Sequence, residues 1–157
     1  MSYPTPSASA VKTAYAAAKR VYRAWGVSTD KVLKTLADIP ISLHCWQGDD
    51  VRGLENPEGG LSGGILATGN YPGVARSGEG LRADMLQAMA LIPGSKRANI
   101  HAFYAETDGR RIDRDKLEPV HFKRWMSWSK KHGIPLDFNP TYFSHPKAAS
   151  GMTLAHP

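Results

Sequence analysis

Apolar residues recur at helical spacing near the start of the chain. Over residues 10–25 they fall on one side of a helix, and Gly26 is placed to end it. Ser28 or Thr29 can cap a second, shorter helix. The polar, Pro- and Ser-rich residues 1–9 precede this pattern and are expected to be disordered.

Further along the chain, short apolar runs alternate with helical patterns. The runs at residues 41–46, 98–104 and 134–139 predict three β-strands. Helical spacing at residues 81–92 and 119–131 predicts a helix after each of the first two strands. Because strands that alternate with helices form βαβ units, the pattern predicts an α/β fold with a parallel sheet.

The segment between the first strand and the next helix, residues 47–80, has no clear periodicity. It contains ten glycines and two prolines. No phosphate-binding glycine motif occurs in it. Because loops of this length are uncommon in compact domains and tend to be functional, we expect a lid or a binding loop.

Three parallel strands with their helices form an incomplete fold. The two outer strands would present open edges with unpaired backbone groups. A closed (β/α)8 TIM barrel takes about 250 residues, whereas this chain has 157. The architecture that the spacing predicts is therefore unfinished.

The composition is that of a soluble globular protein, with 41% hydrophobic and 22% charged residues. No apolar run is long enough to cross a membrane, and the N-terminus lacks the pattern of a secretory signal. These observations favour a cytoplasmic protein without a membrane partner. The single cysteine, Cys45, excludes an intrachain disulfide and a CxxC redox pair.

The formal net charge of +6 would fit binding to an anion such as a nucleic acid. However, the basic residues are spread along the chain among acidic ones. They form three groups: Lys19/Arg20/Arg23, Arg110/Arg111/Arg114 and Lys123/Arg124/Lys130/Lys131. We interpret these groups as solvated side chains and expect no nucleic-acid surface.

Polar and aromatic side chains stand at the ends of all three predicted strands. They are His44 and Trp46, His101 and Phe103, and Asn139 with Phe143, Ser144 and His145. Ligands of parallel α/β folds bind at the C-terminal ends of the strands, so these residues are the candidates for a site. A structural histidine and a packing tryptophan are the alternative interpretations. These residues alone do not indicate a reaction.

Two further groups could carry chemistry. The acids of the long loop are Asp49, Asp50, Glu55 and Glu58. They could bind a cation, but their spacing is not that of an EF-hand, and a solvated loop is favoured. A nucleophilic pair of Cys45 with His44 is not expected, because neighbouring side chains on a strand point to opposite faces.

Three parts of the sequence resemble the L-rhamnose isomerases. The first is SLHCWQGDDV at residues 42–51, with ENPEG at 55–59 and GNYPG at 69–73. The second is LRAD at 81–84, with AM at 88–89 and LIPG at 91–94. The third is NIHA at 99–102, with LDFNP at 136–140 and FSHP at 143–146. The similarity extends from about residue 10 to the last residue.

The resemblance implies that residues 10–157 are the N-terminal portion, roughly the first third, of an aldose–ketose isomerase built on a (β/α)8 TIM barrel. This portion would be an incomplete barrel with N-terminal helices and about three parallel β/α units. Members of this family interconvert L-rhamnose and L-rhamnulose as cytoplasmic homotetramers that depend on a divalent metal, usually Mn2+. The resemblance implies that His101 contacts the sugar and acts in ring opening. It also implies that Trp46 and Phe103 form an apolar wall against the sugar, and that the loop at residues 47–76 covers a site.

The metal ligands of this family come from strands beyond Pro157, so the resemblance assigns no metal ligand here, His145 and His156 included. A chain of this length is therefore expected to be inactive by itself. The alternative is a non-catalytic partial-barrel module that self-assembles or binds sugar. A third interpretation, an RNA-binding protein, predicts affinity that falls steeply with salt.

Overall fold

The structure is a computed structural model in two compact units, Met1–Ile39 and Pro40–Pro157. The residues that it describes are 5–49, 52–55, 73–141 and 147.

The first unit is a pair of helices, α1 (Ala8–Ala24) and α2 (Thr29–Ala37). The Ser7 side chain caps α1 by accepting a hydrogen bond from the Ala10 N–H at 3.2 Å. The helix therefore starts earlier than predicted and includes the last two residues of the segment predicted to be disordered. Ser28 occupies the N-cap position of α2, but its side chain makes no capping hydrogen bond.

Polar contacts join the two helices. The Tyr15 hydroxyl lies within hydrogen-bond distance of Thr29 Oγ1 and Asp30 Oδ1, at 3.1 and 2.9 Å. Lys19 forms an ion pair with Asp30, and this contact lowers the pKa of the carboxyl group. Neither helix contains a buried residue, so the large apolar side chains of this pair are exposed.

The second unit contains a sheet with the strand order β1 (Ile41–His44), β2 (Lys96–His101) and β3 (Leu136–Asn139). Both pairs of neighbouring strands are parallel, with His44 opposite Asn99 and His101 opposite Asn139. The predicted α/β class and parallel sheet are confirmed. Within the described ranges, β1 and β3 are the two edges of the sheet.

The strands of this unit alternate with two helices, α3 (Gly78–Ala90) and α4 (Lys123–His132). The Ser77 side chain caps α3 by accepting from the Gly80 N–H at 3.1 Å, so α3 begins before the predicted helix. Residues Pro119–Phe122 form a 3-10 turn ahead of α4 instead of its first α-helical turn. Gly133 ends α4 with φ of 64°, a conformation that costs glycine little. No helix in the described part of the chain has the length and apolar character needed to span a membrane.

The strands are shorter than predicted. β1 and β2 end at His44 and His101, where short 3-10 turns begin. Trp46 and Phe103 lie on these turns and not on the strands themselves. β3 has only four residues, and it begins later than the apolar run that predicted it.

The two faces of the sheet differ in chemistry. One face contributes to the hydrophobic core, whose side chains include Leu43, Ala98, Ile100 and Leu136 from the strands and Leu81, Met85, Met89 and Trp125 from the helices. On the other face, Asp137 accepts hydrogen bonds from Ser42 at 2.7 Å and from Arg97 Nε at 2.9 Å. Arg97 and Ser42 lower the pKa of Asp137 to about 2. Since side chains alternate along a strand, His44 and His101 belong to this polar face.

Candidate functional site

The ends of β1 and β2 bring two histidines together. Both imidazoles lie on the polar face of the parallel sheet, and His44 Nδ1 is 3.0 Å from His101 Nε2. That separation is a hydrogen-bond distance. The two candidates predicted at separate strand ends therefore belong to one site.

His101 is deeply buried, with an exposed fraction of 6%. Burial, and after it the charge of nearby His44, lowers the pKa of His101 to about 4. The His101 imidazole is therefore neutral at pH 7, with one nitrogen that donates and one that accepts. A neutral imidazole can form a hydrogen bond with a hydroxyl group either as donor or as acceptor.

Two aromatic rings flank His101. The Trp46 ring centroid lies 5.9 Å from that of the imidazole at an interplanar angle of 31°. The Phe103 centroid lies 5.6 Å away, edge to face. Trp46 Nε1 is buried without a hydrogen-bond partner among the described residues, so the indole offers an unused donor. The three residues predicted to contact a substrate thus form a single cluster.

Thr141, just after β3, completes the surroundings of His101 and was not predicted. Its exposed fraction is 2%, and its Oγ1 lies 3.5 Å from His101 Nδ1. Asn139, one of the predicted candidates, accepts the Thr141 N–H through its side-chain oxygen at 2.9 Å and so holds this turn. The one local signal is the Asn-Pro dipeptide before Thr141, which marks a turn. The other candidates of this region, Phe143, Ser144 and His145, lie outside the described residues.

Arg114 connects the segments that follow all three strands. Its Nη2 lies 2.7 Å from Glu55 Oε2, and its Nη1 donates to the Thr141 carbonyl oxygen at 2.9 Å. Its guanidinium carbon is 5.5 Å from the centroid of the Phe103 ring. The prediction that Arg114 and Glu55 are solvated is wrong, because their side chains are only 12% and 29% exposed. The ion pair allows both charges to lie partly buried beside the aromatic cluster.

Asp49 is also buried and not solvated as predicted, with an exposed fraction of 4%. Its two carboxylate oxygens accept hydrogen bonds from the Tyr104 hydroxyl at 2.6 Å and from the Gly53 N–H at 2.7 Å. Burial and the neighbouring carboxylate raise the pKa of Tyr104 far above its ordinary value. Asp49 therefore anchors the segment after β1 to the turn after β2. The acids Asp50 and Glu58 lie outside the described residues.

Gly53 allows this segment to pass directly against Phe103. Its φ is 74°, and a Cβ atom there would lie 2.3 Å from Phe103 Cδ2. The N–H groups of Leu54 and Glu55 both donate to the Phe103 carbonyl oxygen, at 2.8 and 3.1 Å. A side chain at position 53 would both strain the backbone and displace the ring. The position of Phe103 thus depends on this segment.

Cys45 lies beneath the site and is completely buried. Burial raises the pKa of its thiol to about 12. The side chain therefore remains a thiol at neutral pH, whereas the thiolate is the nucleophile. The buried thiol is therefore poorly suited to act as a nucleophile.

The described residues do not fit a metal ion. They contain no group of three or more His, Cys, Asp or Glu side chains placed to hold one. His44 and His101 contact each other, while Asp49 and Glu55 are engaged by a phenol and by a guanidinium group.

Comparison with known proteins shows the family. The family model described as L-rhamnose isomerase matches residues 9–157. The chain belongs to the L-rhamnose isomerase family. The L-rhamnose isomerase of Shigella flexneri is 54% identical over 147 residues, which are 94% of this chain and 35% of that relative. The L-rhamnose isomerase of Citrobacter koseri is 54% identical over 146 residues, which are 93% of this chain and 35% of that relative. The L-rhamnose isomerase of Salmonella agona is 54% identical over 147 residues, which are 94% of this chain and 35% of that relative.

The chain spans about a third of the length of the curated L-rhamnose isomerases that it matches. It corresponds to the N-terminal portion of these proteins, as predicted from the three resembling parts of the sequence. The match to the L-rhamnose isomerase family includes every described residue of the cluster around His101.

Proposed function

We propose that the chain forms the N-terminal part of an isomerase that interconverts L-rhamnose and L-rhamnulose. Family membership over residues 9–157 and 54% identity to proteins named L-rhamnose isomerase support this proposal. The parallel strands with their helices would be the first part of a (β/α)8 barrel. In such barrels active sites lie at the C-terminal ends of the strands, which is where His44 and His101 meet.

The observation that carries the proposal is the cluster around His101. Its imidazole is in contact with Trp46 and Phe103 at the C-terminal edge of the sheet. A sugar has hydroxyl groups that require hydrogen bonds and C–H surfaces that pack on aromatic rings. The cluster offers a buried neutral imidazole, an unused indole N–H and two aromatic faces, which match both requirements.

His101 would act in opening the sugar ring. That step removes a proton from the anomeric hydroxyl and places one on the ring oxygen. A neutral imidazole can accept the proton of the anomeric hydroxyl and return one to the ring oxygen, and the low pKa of His101 keeps it neutral before this exchange. Trp46 and Phe103 would pack against the carbon face and the methyl group of the sugar and exclude water there.

The complete enzyme is proposed to require a divalent cation, Mn2+ by family resemblance, which supplies Lewis-acid chemistry when bound. Since the described residues do not fit a metal ion, we expect its ligands in the part of the relatives that the chain does not match. The chain alone would then have no isomerase activity. We also propose that the complete enzyme is a cytoplasmic homotetramer.

A chimera tests this function. Residues 9–157 would replace the matched segment of the Shigella flexneri L-rhamnose isomerase, and conversion of L-rhamnose to L-rhamnulose would be measured with Mn2+ present. We expect the chimera to be active, because the relative would complete the barrel and the metal site. A chimera that folds and assembles like its parent but forms no ketose would overturn the proposal.

The chain by itself is the matched control. We expect it to form no L-rhamnulose under the same conditions. The alternative of a free-standing sugar-binding or self-assembling module is not favoured by the comparisons. It predicts a defined oligomer by sedimentation and heat release with L-rhamnose, both from the chain alone.

A further inference from the structure

Thr141 is held in a backbone conformation that its type of side chain rarely adopts. Its φ is 52°, in the left-handed region that β-branched residues avoid. Such residues persist only where surrounding contacts fix them, and they concentrate at functional sites. The contacts that fix Thr141 are therefore informative.

Every polar atom of Thr141 has a partner. Its N–H donates to Asn139 Oδ1 at 2.9 Å, and its carbonyl oxygen accepts from Arg114 Nη1 at 2.9 Å. Its hydroxyl donates to the Asn139 carbonyl oxygen at 3.1 Å. Because a carbonyl oxygen can only accept, the single hydroxyl proton of Thr141 is committed to Asn139.

Thr141 Oγ1 can still accept a hydrogen bond, and it lies close to His101. His101 Nδ1 lies 3.5 Å away, a longer and weaker contact than an ordinary hydrogen bond, and both residues are buried. Since the hydroxyl proton is used elsewhere, this contact is favourable only if Nδ1 carries the proton of the neutral imidazole. Nε2 is then an acceptor, and His44 Nδ1, 3.0 Å from it, must be the donor.

We propose that Thr141 is a positioning residue for His101 and selects the tautomer that is protonated at Nδ1. The hydrogen bonds then run in one direction, from His44 through His101 and Thr141 to the carbonyl group of Asn139. His101 thereby keeps its Nε2 lone pair on the side of His44. This tautomer assignment rests on the contacts of Thr141 and His44 alone, whereas a role of Thr141 in turnover rests on the proposed function.

Nitrogen-15 NMR of the histidine-labelled chain tests this proposal, because protonated and unprotonated ring nitrogens differ strongly in chemical shift. Near pH 7 we expect His101 to be protonated at Nδ1 and unprotonated at Nε2, with a His101→Gln chain used to assign its signals. Thr141→Val removes the hydroxyl and keeps the branched shape. In that variant we expect the proton to move to Nε2, which can then donate to His44. Thr141→Ser keeps the hydroxyl and should keep the proton on Nδ1.

Two results would overturn the inference: protonation at Nε2 in the unaltered chain, or protonation that stays at Nδ1 in Thr141→Val. If the valine variant does not fold, the unaltered chain and Thr141→Ser still decide the tautomer. In the isomerase chimera, Thr141→Val should lower kcat about tenfold relative to Thr141→Ser. A well-folded chimera with the expected tautomer but no activity would overturn the proposed function and leave the tautomer assignment standing.

Discussion

The carboxylate of Glu55 and the guanidinium of Arg114 meet in a two-point ion pair. Nη2 of Arg114 lies 2.7 Å from Oε2 of Glu55, and Nε lies 3.0 Å from Oε1. Glu55 follows β1 and Arg114 follows β2, so the pair joins two segments that are 59 positions apart. The flat fork of arginine suits this geometry, and Nη1 of Arg114 donates to the Thr141 carbonyl oxygen. The contacts of Arg114 therefore fix the surroundings of the candidate site.

Replacing Arg114 by alanine should lower the free energy of unfolding by about 2 kcal/mol, because Glu55 would remain partly buried without its partner. Lysine restores the charge but not the fork and should recover only part of this loss. Urea denaturation followed by tryptophan fluorescence measures the effect. Arg111→Ala, at an exposed neighbour, is the control and should change the free energy by less than about 0.5 kcal/mol. Equal effects of the two alanine variants would show that the ion pair makes no net contribution.

Tyr104→Phe removes the hydroxyl that donates to the buried Asp49 carboxylate at 2.6 Å. We expect the free energy of unfolding to fall by about 1–3 kcal/mol, because the buried Asp49 carboxylate loses a hydrogen-bond donor that water does not replace. The pKa of Tyr104 is raised in the folded chain, so above pH 10 the unfolded chain loses this proton first. The contribution of Tyr104 to the free energy of unfolding is therefore complete below pH 10 and falls as the pH rises above that value.

Unfolding free energies at pH 8 and pH 10.5 check this prediction. Tyr104→Phe should lose less stability between the two values than the unaltered chain does. Tyr22→Phe, on the exposed side of α1, is the matched control and should behave like the unaltered chain. If Tyr104→Phe and the unaltered chain lose the same free energy of unfolding between pH 8 and pH 10.5, the raised pKa of Tyr104 is wrong.

The helices and the parallel sheet could be predicted from the sequence because their periodicity is local. The strand ends could not. The apolar run of β1 continues through Cys45 and Trp46, and that of β2 continues to Tyr104, so nothing in the spacing shows where the 3-10 turns begin. Apolar residues of the strands and of the 3-10 turns that follow them pack into the same core, so their apolar character does not distinguish the two conformations.

The site could be predicted only where its residues stand at strand ends. His44, His101, Trp46 and Phe103 were recognised as candidates on that ground. The burial of Asp49 depends on Tyr104, which is 55 positions away, and no local pattern reveals such a partner. An acidic residue in a solvated loop and a buried one such as Asp49 look alike in the sequence, because the partner that distinguishes them is distant along the chain.

The low pKa of His101 makes the stability of the chain depend on pH. The unfolded imidazole has a pKa near 6.5 and the folded one about 4, so the unfolded state binds more protons between these values. Stability is therefore highest above about pH 6.5 and falls as the pH is lowered to 4, by up to roughly 3 kcal/mol. Unfolding free energies at pH 7 and pH 4.5 test this. His101→Gln should lose clearly less stability over this range, and an equal loss would contradict the pKa assignment.

Cys45 should not react with a thiol reagent such as a disulfide-exchange dye while the chain is folded. Its thiol is fully buried, with a pKa of about 12, so the reactive thiolate is scarce and out of reach. In urea the same thiol should react at once with one equivalent of dye, which serves as the control. Complete labelling within seconds in the absence of denaturant would contradict the burial of Cys45.

His101→Ala should reduce turnover in the isomerase chimera by about 10²–10⁴-fold, the usual effect of losing a general acid–base group. Bound metal should remain unchanged, because the described surroundings of His101 contain no group of side chains that fits a metal ion. Turnover of L-rhamnose and metal content by elemental analysis are measured on the same preparation. His132→Ala, at an exposed histidine, is the matched control and should retain activity. If the His101 variant loses its metal together with its activity, then His101 belongs to the metal site and not to the sugar site, and its proposed role in ring opening is wrong.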